Sequence, residues 1–126
     1  MSKAGTVVLV IDDDEQALEL VDAILTPRGY KVYTWKGGKG ALDFASRQKP
    51  EIILLDVMMP EVDGYEVLNF LKHNPITKLI PVVMVTALSF EFNKEMAERL
   101  GSNGFITKPI VLEELIKTIR NLVPGN

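Results

Sequence analysis

Val7-Val8-Leu9-Val10-Ile11-Asp12-Asp13-Asp14 sets an unbroken aliphatic run directly against three carboxylates. A run of this length without alternation reads as a strand buried on both faces, as in a parallel sheet with helices on each side. Three later stretches repeat the pattern. Ile52-Ile53-Leu54-Leu55 ends in Asp56, Val82-Val83-Met84-Val85 ends in Thr86, and Phe105-Ile106-Thr107 ends in Lys108-Pro109. If the four runs are parallel strands, their terminal polar groups share the carboxyl edge of one sheet. Open α/β sheets bind ligands at that edge. Carboxylates, a hydroxyl and a lysine gathered there suit a divalent cation and a phosphoryl group.

Segments of helical period separate the runs. The pattern predicts helices at Glu15–Thr26, Gly38–Gln48, Asp63–His73, Phe90–Leu100 and Val111–Val123. It predicts strands at Val7–Ile11, Tyr30–Trp35, Glu51–Leu55, Ile80–Val85 and Gly104–Thr107. Tyr30–Trp35 alternates more than the others and reads as an edge strand. Glu51–Leu55 is the most apolar and reads as central. Pro27 ends the first helix, and Gly29 suits the left-handed conformation beyond it. Five βα units in strict alternation predict an α/β fold with a parallel five-stranded sheet between two helical layers. Right-handed crossovers cover both faces only if the strand order reverses once. The flavodoxin-like order 2-1-3-4-5 reverses between the first and third strands, which carry Asp12, Asp13 and Asp56. One domain is expected over 1–126, with its core at about 7–122, and no repeat or linker interrupts it.

Composition narrows the function classes. The chain has 126 residues, 47% apolar, no cysteine and a net charge of −3. Without cysteine there is no disulfide framework, thiolate metal site or cysteine nucleophile, which fits a reducing cytoplasm. The charge balance and the absence of a basic stripe argue against nucleic-acid binding. No apolar run approaches the roughly 20 residues that span a bilayer, so no membrane role is expected. The first residues are too short for a signal peptide, because Val7 already opens the buried pattern.

Each candidate residue has a structural alternative. Aspartates before a helix serve as N-caps, so one of Asp12, Asp13 and Asp14 is expected to cap. Three together exceed what capping needs, and their repulsion invites a cation. Asp56 could be a turn residue. A carboxylate at the mouth of a central strand is costly to keep charged, so it needs Lys108 or a metal beside it. The same setting makes it a nucleophile able to form an acyl phosphate. Thr86 and Lys108 say little alone; with the aspartates they supply the hydroxyl donor and cationic clamp of phosphoryl transfer. Pro109 holds Lys108 in an extended conformation. Trp35-Lys36-Gly37-Gly38-Lys39-Gly40 lacks phosphate-loop spacing and reads as a turn. His73 reads as a solvated helix end. One histidine and no cysteine make zinc an unsuitable metal. Met58, Met59, Met84 and Met96 read as core and loop packing.

These motifs together resemble the receiver domain of two-component response regulators. The resemblance runs from Val7 to Leu122. It rests on Val10-Ile11-Asp12-Asp13-Asp14, Leu54-Leu55-Asp56-Val57-Met58-Met59-Pro60-Glu61-Val62-Asp63-Gly64, Pro81-Val82-Val83-Met84-Val85-Thr86-Ala87 and Gly104-Phe105-Ile106-Thr107-Lys108-Pro109. It implies that Asp56 accepts a phosphoryl group from a phosphohistidine on a sensor histidine kinase or histidine phosphotransfer protein. It further implies Mg2+, or Mn2+ in its place, held by Asp13, Asp56 and the backbone carbonyl of Met58, with Asp12 acting mainly through water. Lys108 would neutralise a phosphoryl oxygen, and Thr86 would move to hydrogen-bond another. Phe105 falls at the family's aromatic switch position. Its ring would turn inward as Thr86 moves and reshape the face made by the fourth helix, fifth strand and fifth helix. That face would then engage an effector protein, an output domain or a second copy. Its mixed charges, Glu91, Lys94, Glu95, Glu98, Arg99, Lys117 and Arg120, permit reciprocal salt bridges between copies. Met58 and Leu88 occupy the two positions that govern how long the phosphoryl group lasts. Both are apolar, so slow self-dephosphorylation is expected.

Two other function classes compete. A phosphatase of the haloacid-dehalogenase type wants a second Asp two residues after its nucleophile, and Met58 stands there, so a turnover enzyme is not expected. An adaptor that binds partners without phosphorylation would lack one of Asp12, Asp13, Asp56 or Lys108, and all four are present.

Overall fold

The computed structural model describes residues 5–87 and 93–123. Its elements run β1 (Val7–Asp12), α1 (Glu15–Leu25), β2 (Lys31–Lys36), α2 (Ala41–Gln48), β3 (Ile52–Asp56), α3 (Gly64–Lys72), β4 (Val82–Ala87), α4 (Lys94–Arg99), β5 (Gly104–Lys108) and α5 (Leu112–Leu122). The five strands are parallel in the order β2-β1-β3-β4-β5, the flavodoxin-like arrangement.

Successive strand residues face opposite sides, and the two core clusters follow that alternation. Val8 and Val10 of β1, Ile52 and Leu54 of β3, and Val83 and Val85 of β4 pack with Leu18, Val21 and Leu25 of α1 and with Leu115 and Ile119 of α5. Leu9, Ile11, Ile53, Leu55, Val82 and Met84 meet Ala41 and Ala45 of α2, Val67, Leu68 and Leu71 of α3, and Ala97 of α4. Ile52 through Leu55 are fully buried, as a central strand requires.

Several boundaries differ from the sequence pattern, each for a local reason. Tyr30 is buried but precedes β2: its amide donates to the Leu25 carbonyl and closes the end of α1. Pro27 sits in a single 3-10 turn, Thr26–Arg28, and Gly29 follows at φ 89°. α2 starts at Ala41 because Gly40, at φ 82° and packed against Trp35, forms its left-handed entry. β4 starts at Val82, although the Pro81 carbonyl already accepts the Ile53 amide. β3 and β5 each run one residue further than the pattern showed, taking in Asp56 and Lys108. The start of the expected fourth helix at Phe90 lies outside the described residues, and α4 is described from Lys94. Among the described residues, no helix is long and apolar enough to cross a membrane.

Candidate functional site

Pairing of β1 with β3 brings Ile11 level with Leu55, so one step further along each strand Asp12 and Asp56 leave the sheet together. Asp13 follows Asp12 into the same crevice. One carboxylate oxygen from each of Asp12, Asp13 and Asp56 lies within 4.8 Å of the others. β5 brings the opposite charge: Lys108 pairs in register with Ala87 at the far end of β4. Its Nζ stands 3.0 Å from Asp12 Oδ2 and 3.4 Å from Asp56 Oδ1. Asp12, Asp13, Asp14, Asp56, Val57, Met58, Thr86, Ala87 and Lys108 line a cleft of about 150 Å³. The structure thus collects the acidic, hydroxyl and lysine candidates in one place.

The three consecutive aspartates divide their work. Asp14 is the N-cap of α1, and its carboxylate accepts from the Gln16 amide at 3.0 Å. Asp12 is buried, and its Oδ1 accepts from the Asp14 amide at 2.9 Å, leaving Oδ2 to Lys108. Asp13 is half-buried and joins the crevice cluster. Capping therefore accounts for one member of the triplet.

Asp56 is 5% exposed. Burial, and then the neighbouring charge of Asp12, push its carboxyl up to about 7, and Lys108 only partly offsets this. Burial alone would lower Lys108. Its hydrogen bond and attraction to Asp12, with those to Asp56, outweigh burial and raise it above the usual lysine range. The crevice is thus over-supplied with negative charge. Hard, clustered carboxylate oxygens beside an open cleft fit a divalent cation of the Mg2+ type, which keeps several waters and needs few protein ligands.

The remaining candidates lie around the rim. Thr86 is buried, and its hydroxyl donates to the Ala87 carbonyl at 3.4 Å. Phe105 is 40% exposed, and Lys94 Nζ stands 5.5 Å from its ring centroid. The Lys108–Pro109 peptide bond is cis. Leu88 and Glu91 lie outside the described residues. Met84 and Met59 are buried and Met96 is half-buried, as the sequence suggested; Met58 corrects that reading, being 58% exposed. It follows Val57 in the β3–α3 turn and lines the cleft instead of joining the core. His73 is exposed at the end of α3, with its Nδ1 2.8 Å from the Asn69 carbonyl. The glycine-rich stretch is a turn tied by the Trp35 indole, which donates to the Lys39 carbonyl.

Two contacts near the acceptor strand were not read from the sequence, although Gly64 belongs to the motif quoted above. Gly64 packs against the acceptor strand so tightly that a Cβ there would lie 2.3 Å from the Asp56 carbonyl oxygen. Tyr65, the next residue, accepts a hydrogen bond from the Asn93 amide. Only a three-dimensional arrangement reveals either contact.

Comparison with known proteins agrees with this geometry. The family model for the response regulator receiver domain matches residues 8–120. The chain is 44% identical over 115 residues to response regulator PleD of Caulobacter vibrioides, which covers 91% of this chain and 25% of PleD. The chain therefore spans about a quarter of that relative's length. It is 33% identical over 114 residues to the polar-differentiation response regulator DivK of Brucella anthropi, covering 90% of this chain and 93% of DivK. The chemotaxis protein CheY4 of Vibrio cholerae superposes with a TM-score of 0.85 at 30% identity, covering 94% of this chain and 99% of CheY4. The receiver domain of sensor histidine kinase PA1611 from Pseudomonas aeruginosa gives a TM-score of 0.86 at 26% identity, with 95% and 98% coverage. A magnesium ion is coordinated in the active site cleft of that domain.

Proposed function

This chain belongs to the response regulator receiver domain family, and from that premise we propose that it is a phosphorylation-controlled switch with Asp56 as its phosphoryl acceptor. The observation that carries this reading is the joining of Asp12, Asp13 and Asp56 within 4.8 Å by strands β1 and β3, with Lys108 closing over two of them. The family is a signalling domain and not a turnover enzyme.

Asp13, Asp56 and the Met58 carbonyl would hold Mg2+, with Asp12 acting through water. The bound ion would supply positive charge against the carboxylates and the incoming phosphoryl oxygens. The chain's own groups do the rest. An ionised Asp56 oxygen attacks phosphorus of a partner's phosphohistidine in line. The new O–P bond forms as the N–P bond breaks, and the imidazole keeps the electron pair. Lys108, held above the usual lysine range, remains an ammonium and neutralises a phosphoryl oxygen. Thr86 turns its hydroxyl from the Ala87 carbonyl toward another phosphoryl oxygen. Phe105 leaves its exposed position under Lys94 for an inward one. The surface of α4, β5 and α5 then shifts its population toward the form that binds an effector, an output domain or a second copy.

Met58 offers no polar side-chain group to orient an attacking water, so the acyl phosphate is expected to be long-lived; a half-life of seconds without a phosphatase contradicts this. The direct test is titration with beryllofluoride and Mg2+, an acyl-phosphate mimic, followed by amide NMR. Mg2+-dependent shifts at Thr86, Phe105 and Lys108, lost in Asp56→Asn, are expected. An unresponsive wild type overturns the reading in favour of a phosphorylation-independent adaptor.

A further inference from the structure

We propose that Tyr65 is a positioning residue that holds the start of α4 against α3 while Asp56 is unphosphorylated, so that releasing its hydrogen bond to Asn93 is part of the switch. This rests on the phosphorylation reading and adds a second mechanical route to the one through Thr86 and Phe105.

Tyr65 stands one residue from the contact that ties α3 to the acceptor strand. The Gly64 amide donates to the Val57 carbonyl at 2.9 Å, and the absent Gly64 side chain lets the helix start rest on the backbone of Asp56 and Val57. A displacement of that backbone is therefore felt at the first turn of α3, because close-packed backbone does not compress. From this turn the Tyr65 hydroxyl reaches across and accepts a hydrogen bond from the Asn93 amide at 3.0 Å. Asn93 is the N-cap of α4, and its Oδ1 accepts from the Met96 amide at 2.9 Å.

α4 is poorly secured by packing. It is described over six residues, of which only Ala97 is buried. A helix this short has little stability of its own, so single contacts at its start weigh heavily. Its first residue, Lys94, covers the ring of Phe105 from β5. The start of α4 is thus held from two sides, by Tyr65 of α3 and by Phe105 of β5. Phe105 is outward and the Thr86 hydroxyl faces the Ala87 carbonyl, so both sides are engaged in the resting arrangement. The Tyr65 hydrogen bond favours that arrangement and opposes the active one.

Tyr65→Phe keeps the ring, which packs beside the α2–α3–α4 core, and removes the hydroxyl. A net hydrogen bond corresponds to a factor of roughly three to ten in an equilibrium, so Tyr65→Phe is expected to bind beryllofluoride with Mg2+ about that much more tightly than wild type. A variant that only loosened the fold would melt earlier and bind no tighter. Equal or weaker binding by Tyr65→Phe overturns the proposal. Hydrogen exchange on the wild type tests it without any substitution. The Asn93 amide should be protected in the free protein and lose protection with beryllofluoride, and equal protection in both states also overturns it. Wild-type protein that does not bind beryllofluoride refutes the acceptor reading itself. Binding by wild type with an unchanged Tyr65→Phe refutes only the role of Tyr65.

Discussion

Lys72 and Lys108 are both half-buried lysines at ends of the sheet, and their surroundings differ in kind. At the amino edge, Lys72 Nζ donates to the Ile80 carbonyl at 2.8 Å, Asn103 Oδ1 at 3.1 Å and the Lys78 carbonyl at 3.4 Å. Those acceptors are neutral dipoles, and burial lowers its pKa. Its neighbours are matched too: Asn103 Oδ1 also accepts the Val82 amide, and the Thr77 hydroxyl donates to the Leu71 carbonyl. At the carboxyl edge, Lys108 sits among Asp12, Asp13 and Asp56, and its pKa is raised above the usual lysine range. One edge satisfies its polar groups internally and ties α3 to β4 and β5. The other keeps three carboxylates against one ammonium, an imbalance that a divalent cation would relieve. The two edges thus differ in whether their charges are matched within the chain.

Substitutions test that difference. Lys108→Met should slow phosphoryl uptake from a small phosphoramidate donor by about a hundredfold, the scale of removing one preorganised charge partner. Uptake within a few-fold of wild type would show that the carboxyl edge does not depend on its clamp. Asp56→Asn should raise metal-free stability at pH 8 by about 4 kcal/mol. The unfolded carboxyl titrates near 3.8 and the folded one near 7. Between those values the native state keeps a proton that the unfolded state has lost, so wild-type stability falls as pH rises through that window. The gain should vanish near pH 4 and narrow when Mg2+ binds the folded wild type; urea melts at several pH values measure both.

Gly64→Ala should cost about 2 kcal/mol in urea denaturation and also depress phosphoryl uptake, because the added Cβ meets immovable backbone of the acceptor strand. Lys72→Met gives the smallest effect. It should lower stability by about 1 kcal/mol, by leaving the Ile80 and Asn103 oxygens without their ammonium, and leave uptake unchanged. A loss of uptake in Lys72→Met would break the contrast between the edges.

The sheet was legible because its strands are aliphatic and uninterrupted, and strict βα alternation leaves few topologies. Asp56 was legible for the same reason, because a charged residue at the end of a buried strand has few places to go; Lys108 ends a strand in which only Ile106 is buried, and it was legible only in company with the aspartates. Element ends were less so. Gly38 and Gly40 sit within a stretch of helical period, yet Gly40's left-handed backbone delays α2 to Ala41. Met58 reads as packing from composition, and only the path of the turn after β3 exposes it. Lys72 and Tyr65 left no trace in the pattern. A lysine at a helix end and an aromatic in a first turn are ordinary, and their partners lie on backbone 8 and 28 positions away.

The hydrogen bond between Lys108 and Asp12 spans 96 positions. A chain leaving the ribosome exposes Asp12 and Asp56 long before Lys108 has been synthesised. Contacts of such separation form late in folding, because a long loop must close first. Until β5 docks beside β4, the aspartates face solvent without their ammonium. A nascent chain, or one clipped ahead of its fifth strand, therefore holds an acidic pocket that cannot clamp its substrate. Under the proposed acceptor role, phosphoryl uptake would therefore begin only once the fifth strand has docked.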